Sequence, residues 1–339
     1  MTVAIVNSLN EEVWREFVEQ HPQGNIFHTP EMFQVYTRVR GYKPQLWAAV
    51  SDCGNVLALM IPVQVTLLDG ILHRLTTRSI AYGSILCSSE PQGKEALVIL
   101  LNTYVRENGR ETLFSELRNL YDLSEIQSVL NQCGFLYDDH LNYLIDLNCS
   151  PGQLFQRIGS RTRKHIGREL KKRQLIVEQV VDPAQVRTCN ELIKKSYLTA
   201  RVPMADLSLF ESAFDILSPH GMVKFWLARL DDAYVAASVE LIYKDRVFGW
   251  YSGVDRAYSS HTPSELLTWH ILKWCTENGY RTYDFGGAGT PDEKYGVRDF
   301  KSKFGGKLVC YGRNTCVHAP GLLRLSTIGY SIYRRFFNG

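Results

Sequence analysis

The fold of this 339-residue chain is decided by a stretch of sequence that occurs twice. Residues 47–58 read WAAVSDCGNVLA, and residues 226–237 read WLARLDDAYVAA, at an offset of 179 positions (226 − 47). Each copy is typical of a strand, an acidic turn and a second strand, and each follows two predicted helices. A duplicated α/β domain explains the pattern economically, and the alternative is that any amphipathic hairpin shows it.

Outward from the two copies, helical and strand periodicity alternate along both halves of the chain. Residues 55–68 are rich in Val, Leu and Ile and predict one continuous strand. We predict a first domain over residues 1–148, a second domain with the active site over residues 149–318, and a C-terminal helix over residues 319–339.

The composition excludes several classes of protein. Hydrophobic residues make up 45% of the chain and aromatic residues 12%, which is enough for full cores and excludes a mainly disordered protein. The net charge of +3 is too small for a wholesale nucleic-acid binder, so we expect no DNA partner and only local contact with a polyanion.

Targeting signals and metal-ligand spacings are not evident in the sequence. The longest apolar stretch, residues 56–68, is too short to span a bilayer, and the N-terminus lacks the pattern of a signal peptide. Eight scattered cysteines without a C-x-x-C pair predict reduced thiols in a cytoplasmic protein, with a Cys310–Cys316 disulfide as the alternative. No Cys/His cluster has the spacing of a zinc site, so no metal is expected.

Common catalytic motifs are also missing from the sequence. It contains no serine nucleophile elbow, P-loop or dinucleotide fingerprint. Chemistry that needs a covalent nucleophile is therefore poorly supported. The remaining possibility is chemistry by positioning, in which one bound substrate carries an amine and the other an activated acyl group.

A basic segment over residues 157–173 holds eight of the 38 Lys and Arg residues and one acid. Helical spacing places four of these cations near one face: Arg161, Lys164, Arg168 and Lys172. Such a face is suited to phosphates of a nucleotide or RNA, and the alternative is a solvated helix surface.

A second constellation combines YDFGG at residues 283–287 with GVRDFKSKFGG at residues 296–306. A buried strand end, a glycine loop and a short cationic helix would place ammonium groups beside a cleft, where they could stabilise an oxyanion. The alternative is that Phe300 and Phe304 are core residues and the lysines face water.

Taken together, these motifs resemble the FemABX family of peptidoglycan-bridge aminoacyltransferases and related acyltransferases. The resemblance rests mainly on residues 283–287 and 296–306, and it is supported by GNIFHTPE at 24–31, SELRNL at 115–120 and HLNYLIDL at 140–147. It implies an α/β (α+β) fold of two tandem GNAT-like domains, each with a mixed, mostly antiparallel sheet flanked by helices. No long helical arm follows the basic helix, so the chain is similar to the compact FemX-like members.

The resemblance also implies roles for individual residues. Phe300 and Lys301 match the family's phenylalanine–lysine pair beside the reacting ester, so Lys301 would stabilise the oxyanion and Phe300 would line the site. Asp284 or Glu116 could act as general base, or a water could carry the proton. The substrate-binding residues that we predict are Arg201, Tyr36 (where the family usually has a lysine), Glu116, Arg118, Lys303, Tyr295 and Arg298.

The acyl donor remains a choice between two chemistries. An aminoacyl-tRNA would use the basic helix, whereas acyl-CoA would need a glycine-containing pyrophosphate loop before a helix. The equivalent stretch, residues 256–263, contains no glycine and favours the tRNA donor.

We therefore predict a cytoplasmic enzyme that needs no cofactor. It would transfer an aminoacyl group from aminoacyl-tRNA to an amine of a cell-wall or envelope precursor, nucleotide- or lipid-linked. The alternatives are an acyl-CoA-dependent N-acyltransferase acting on a polysaccharide or small molecule, and a non-catalytic protein that binds RNA or the cell envelope.

The C-terminal tail forms an amphipathic pattern. From Gly321 onward, the apolar residues that share a helical face are Leu322, Leu325, Ile328, Ile332 and Phe336, and three arginines add charge. This pattern predicts a docked terminal helix, with a peripheral helix at the inner membrane face as the alternative.

Overall fold

The structure, a computed structural model, describes residues 2–68 and 70–337. Its strands are β1 (Val3–Val6), β2 (Tyr42–Pro44), β3 (Trp47–Ser51), β4 (Val56–Met60), β5 (Val63–Thr66), β6 (Thr77–Ala81), β7 (Ile85–Cys87), β8 (Phe114–Arg118), β9 (Leu136–Asp138), β10 (Leu141–Asp146), β11 (Leu175–Gln179), β12 (Val223–Leu230), β13 (Ala233–Tyr243), β14 (Arg246–Val254), β15 (Thr282–Gly287), β16 (Lys307–Cys310) and β17 (Arg313–Val317). Its helices are α1 (Glu11–Gln20), α2 (Pro30–Thr37), α3 (His73–Thr76), α4 (Gly93–Asn108), α5 (Gln127–Gln132), α6 (Pro151–Arg157), α7 (Ser160–Lys172), α8 (Pro183–Ala200), α9 (Leu207–Leu217), α10 (Pro263–Glu277), α11 (Gly296–Ser302) and α12 (Pro320–Phe337).

The chain forms two compact units. Unit 1 comprises Met1–Asp139 and Tyr311–Gly339, and unit 2 comprises His140–Cys310. This division differs from the predicted boundaries 1–148, 149–318 and 319–339, because β10 lies in the sheet of unit 2 and β17 in a sheet of unit 1. Local periodicity identifies a strand but not its hydrogen-bonding partners, so it could not reveal this exchange.

Unit 1 contains two sheets, in the strand orders β1-β3-β4-β7 and β2-β5-β6-β8-β17-β9. Helix α4 packs on the first sheet and buries Leu97, Leu100, Leu101 and Tyr104. The single strand predicted over residues 55–68 is wrong, because β4 and β5 are separate strands in different sheets. The break falls at Pro62, which has no backbone N–H to donate to a ladder.

Unit 2 is built on one seven-stranded sheet in the order β11-β12-β13-β14-β15-β10-β16. All neighbouring strands are antiparallel except β14 and β15, which run parallel. Their ladder joins only residues 246–248 to residues 282–284, although both strands continue. The mixed, mostly antiparallel sheet flanked by helices that we predicted is confirmed. Strand β15 continues to Gly287, beyond the last residue that pairs with β14.

The repeated stretch forms corresponding hairpins in the two units. Strand β3 pairs antiparallel with β4, and β12 pairs antiparallel with β13. The register shifts between Ala49 and Val50 in the first ladder and between Ala228 and Arg229 in the second, again 179 positions apart (228 − 49). A shared irregularity at the same place supports duplication over a chance hairpin pattern, because bulges are preserved features of related sheets.

Two further expectations concern cysteines and membrane spans. All eight cysteines are free thiols, so the alternative of a Cys310–Cys316 disulfide is wrong. In the part of the chain that the structure describes, no helix combines the length and the hydropathy that a membrane span requires.

Candidate active site

Lys301 lies on α11 and is buried, with 8% of its surface exposed. Its Nζ donates hydrogen bonds to the backbone carbonyls of Phe285, at 2.5 Å, and Gly287, at 2.7 Å. The helix is anchored by Phe304, whose ring lies 5.8 Å from that of Phe285 and 5.4 Å from that of Phe300. These aromatic contacts fix α11 against β15, so the ammonium of Lys301 is held at the end of this strand rather than in bulk solvent.

Asp284 provides the counter-charge. Burial lowers the pKa of Lys301 to about 8, against the opposing influence of the Asp284 carboxylate. Burial likewise raises the pKa of Asp284 to about 6, although the N–H of Gly286, at 2.7 Å, and the Lys301 charge favour ionisation. At neutral pH the lysine is mainly protonated and the aspartate mainly ionised, which is the state needed for a cation that stabilises an oxyanion and a base that accepts a proton.

The glycine loop that follows β15 is held by Arg298. Its Nε donates to the carbonyl of Ala288 at 2.8 Å, its Nη1 donates to that of Pro291 at 3.2 Å, and its Nη2 donates to that of Thr290. Gly286 and Gly289 adopt φ values of +69° and +76°, which allow the chain to turn there without strain. Arg298 therefore shapes the loop beside Lys301, and its contact with substrate stays a prediction.

Phe300 and Lys303 lie on or next to α11, and Tyr295 precedes it. Phe300 is half-buried, and the Nζ of Lys303 lies 5.2 Å from the centre of its ring. The same ammonium forms an ion pair with Glu265 at 3.0 Å. Tyr295 is half-buried and lies near Tyr197 on α8, whose pKa is raised to about 12, chiefly by burial. The structure thus gathers these predicted residues around α11.

Arg201 ends α8, four positions after Tyr197, in a left-handed conformation with φ +54°. It is exposed. Its predicted role in binding substrate phosphates stays a prediction.

The basic segment forms α7, as predicted. Arg161, Lys164 and Arg168 are exposed, whereas Thr162, Ile166 and Glu169 form the buried side of the helix. The fourth predicted cation, Lys172, is paired with Glu169 at 2.8 Å. The helix therefore presents an open cationic surface rather than a closed pocket.

The other three predicted residues, Tyr36, Glu116 and Arg118, meet in unit 1. Tyr36 stacks on Tyr82 with ring centres 5.8 Å apart, and the Arg118 guanidinium lies 5.2 Å from the centre of the same Tyr82 ring. Arg118 is paired with Glu116 at 2.6 Å. Tyr82 therefore links Tyr36 to Arg118, and Arg118 brings Glu116 into the same cluster.

Two arginines that sequence reasoning missed extend this cluster. Arg313 on β17 forms an ion pair with Glu116 at 3.3 Å. Arg78 on β6 lies close enough for its charge to act on Tyr42, whose pKa is raised chiefly by burial. Among the described residues, the buried Nε of Arg78 has no hydrogen-bond partner. A general base role for Glu116 is weakened, because the charges of Arg118 and Arg313 outweigh burial and lower its pKa.

A buried glutamate in unit 2 was also missed. Glu240 on β13 is completely buried and accepts hydrogen bonds from Ser238 Oγ at 2.5 Å and Tyr283 Oη at 2.9 Å. Burial raises the pKa of Glu240 to about 7, which these hydrogen bonds oppose. The sequence signal for this site was an acid within an otherwise apolar strand, where a carboxylate needs buried partners.

Gly249 leaves room for that pair. A Cβ atom at position 249 would lie 2.6 Å from Tyr283 Oη.

In residues 2–68 and 70–337, no group of three or more His, Cys, Asp or Glu side chains could hold a metal ion.

Comparison with known proteins identifies the fold. Residues 160–302 match the acetyltransferase (GNAT) domain family. The crystal structure of FemX is similar over 96% of this chain and 99% of its own, with a TM-score of 0.72 and 16% identity. A tandem GNAT protein from the clavulanic acid biosynthesis pathway is similar over 94% of this chain and 100% of its own, with a TM-score of 0.59 and 11% identity.

A third similar structure is that of L-PGS from Bacillus licheniformis, over 94% of this chain and 95% of its own, with a TM-score of 0.57 and 12% identity. No curated protein is significantly similar in sequence. The two tandem GNAT-like domains and the FemABX-like fold that we predicted are confirmed, and the chain carries an acyltransferase domain of the GNAT type.

Proposed function

We propose that this chain, which has the tandem GNAT fold, transfers an aminoacyl group from aminoacyl-tRNA to an amine of a cell-envelope precursor. The observation that carries the proposal is the buried Lys301 ammonium held at the end of β15 beside Asp284. An ammonium has three N–H donors, and the two backbone carbonyls engage two of them. The third is suited to an oxygen of the reacting group.

In the proposed reaction, the acceptor amine attacks the ester carbonyl of the charged tRNA. The new C–N bond forms a tetrahedral intermediate, whose oxyanion Lys301 stabilises. Asp284 accepts the proton that the amine loses, directly or through water, and the C–O bond to the tRNA then breaks as its oxygen gains a proton. Placing the two substrates together supplies much of the rate, because the reaction becomes effectively unimolecular.

The surface of α7 supports an RNA donor. Arg161, Lys164 and Arg168 are exposed on one face, where they can contact several phosphates. The start of α10, where a CoA pyrophosphate would bind, is less suitable. Pro263 lacks an N–H there, and Glu265 adds a negative charge within the first turn.

The arginine and tyrosine cluster of unit 1 supports an acceptor that carries phosphate. Arg78, Arg118 and Arg313 lie around Tyr36, Tyr42 and Tyr82. Guanidinium groups bind phosphates through paired N–H donors, and aromatic rings stack on bases or sugars. A nucleotide- or lipid-linked precursor of peptidoglycan biosynthesis offers this chemistry.

Titration with charged tRNA and with acetyl-CoA tests the donor. We expect charged tRNA to raise the melting temperature, because a ligand that binds the folded state stabilises it. A triple variant of Arg161→Gln, Lys164→Gln and Arg168→Gln should bind tRNA more weakly and with less salt dependence.

The matched control is Arg187→Gln, Lys194→Gln and Lys273→Gln, which removes three exposed cations on α8 and α10 of the same unit. Its tRNA affinity should be unchanged. A rise in melting temperature with acetyl-CoA alone would contradict the proposal and support the acyl-CoA alternative, which the description of the matching family favours.

A further inference from the structure

A group of exposed aliphatic side chains on unit 1 takes no part in the acyl transfer proposed above. We call it the leucine patch, and its members are Leu67, Leu68, Leu72, Leu325 and Ile328, each between 48% and 60% exposed. They come from the turn that follows β5, the residue before α3, and α12. Single exposed leucines are ordinary, whereas neighbouring ones mark an interaction surface.

Hydrogen bonds hold the parts of the leucine patch together. Ser326 Oγ on α12 donates to the carbonyl of Leu75 on α3 at 2.7 Å. Thr76 Oγ1 accepts from the N–H of Leu68 at 3.1 Å and lies 3.3 Å from the carbonyl of Leu72. The patch is therefore a fixed surface of unit 1 and does not depend on a loose tail.

An open groove of about 550 Å³ adjoins the patch along α3. Four basic side chains and one acid contribute to its lining, namely Lys43, His73, Arg74, Arg110 and Glu111, and Tyr42 lines it as well. Arg74 Nη2 donates to the carbonyl of Arg110 at 3.0 Å, which keeps the two arginines adjacent.

The sequence of α12 adds to this charge. The described side chains of α12 include the exposed Arg324, directly before Leu325, and no acid. The exposed leucines are thus bordered by the basic groove along α3 and by Arg324 on α12.

We propose that the leucine patch and the adjoining groove bind the surface of an anionic lipid bilayer. Leucines of the patch enter the boundary between headgroups and acyl chains, and the cations of the groove contact lipid phosphates. Apolar and basic side chains together favour an anionic membrane interface, since burial of the former and attraction of the latter add. A soluble anion would use the groove alone and would leave the leucines exposed.

This inference does not rest on the proposed function, because vesicle binding is measured without turnover. The full chain is sedimented with vesicles of equimolar phosphatidylcholine and phosphatidylglycerol and with vesicles of phosphatidylcholine alone. We expect binding to the anionic vesicles that weakens with salt, because surface attraction is screened.

Two double variants separate the contributions of the surface. Each should weaken binding to the anionic vesicles at least tenfold. The first is Arg74→Gln with Arg110→Gln, because one basic residue near an anionic surface contributes roughly fivefold to the affinity. The second is Leu72→Ser with Leu325→Ser, because the apolar surface that enters the bilayer boundary is lost. The matched control in the same unit is Leu136→Ser with Arg106→Gln, which changes exposed residues outside the patch and should bind like the parent.

Several results would overturn the inference. They are equal binding to neutral vesicles, unchanged binding of either patch variant, and complete displacement by inorganic phosphate, which would indicate a soluble anion. Light scattering in the absence of lipid gives the last test. A dimer that Leu72→Ser with Leu325→Ser converts to a monomer would assign the patch to a second copy of the chain.

Discussion

The strands β8 in unit 1 and β15 in unit 2 occupy equivalent places. Each lies between a parallel neighbour, β6 or β14, and an antiparallel neighbour, β17 or β10. Each carries an acid at the third position, Glu116 or Asp284. In both cases the antiparallel neighbour is a strand that lies outside the unit boundaries that we predicted, β17 in unit 1 and β10 in unit 2.

The neighbours of the two acids differ. Glu116 is clamped by Arg118 and Arg313, and its pKa is lowered although burial acts to raise it. Asp284 accepts a hydrogen bond from the N–H of Gly286 and lies near Lys301. Burial raises the pKa of Asp284 to about 6. Two nearby guanidinium groups stabilise the carboxylate of Glu116 more than burial destabilises it. At Asp284, the charge of Lys301 offsets the effect of burial only in part, so the carboxylate binds a proton more readily.

The residues that precede the two acids differ as well. Ser115 belongs to a network with Tyr104, at 2.8 Å, with Ser79 and with His318, whose Nε2 lies 2.8 Å from Ser115 Oγ and whose pKa is lowered by burial. Tyr283 instead donates to the buried Glu240. Position 61, which is 179 residues before Glu240, holds the buried apolar Ile61. Duplication thus preserved the frame of the fold, whereas the two carboxyl groups whose pKa is raised, Asp284 and Glu240, both lie in unit 2.

The largest expected effect on activity follows from removing Lys301, the cation that is held at the end of β15. Lys301→Ala should lower kcat about 10³-fold, because the oxyanion loses its donor. Single-turnover aminoacyl transfer from charged tRNA measures this change, and Lys301→Met with a melting curve controls for loss of packing. Lys307→Ala, at an exposed position of β16, is the matched control and should retain parental turnover. Unchanged turnover of Lys301→Ala would remove the catalytic role.

The next effect tests the two equivalent acids against each other. Asp284→Asn should lower kcat about 10²-fold, while Glu116→Gln should leave kcat within about threefold of the parent. The parental pH profile should rise near pH 6, as Asp284 ionises, and fall near pH 8, as Lys301 loses its proton. Asp284→Asn should lose the acid limb and move the basic limb to lower pH, because the carboxylate no longer raises the pKa of Lys301. An acid limb that disappears in Glu116→Gln instead would reverse the assignment of the base.

The smallest effect concerns stability and Glu240. Since the pKa of Glu240 is raised from 4.5 to about 7 in the folded state, folding favours the protonated acid. The free energy of unfolding should therefore fall between pH 4.5 and pH 7, by on the order of 2 kcal/mol. Denaturant unfolding at several pH values measures this, and Glu240→Gln should flatten the dependence. A Glu240→Gln curve parallel to the parental curve would show that other groups cause it.

The elements that carry Asp284 and Lys301 could be predicted from the sequence, because the two stretches lie close together in the chain. The YDFGG stretch predicted a strand end with Asp284, and the short helix after it predicted Lys301, and both lie as expected. The role of Arg298 was harder to read, because its partners are backbone carbonyls, which every residue possesses. Glu240 was missed because Tyr283, which stabilises it, lies 43 positions away.

The sequence alone determined the repeat, the cationic face of α7, the strand that carries Asp284 and the short helix that carries Lys301. These features depend on residue types at short spacing, where periodicity and local propensity act. Tertiary structure decided the exchange of β10 and β17, the clamping of Glu116 and the raised pKa values of Asp284 and Glu240. Hydrogen-bond partners and local dielectric come from segments distant along the chain, so only the folded arrangement decides that the pKa is lowered at Glu116 and raised at Asp284.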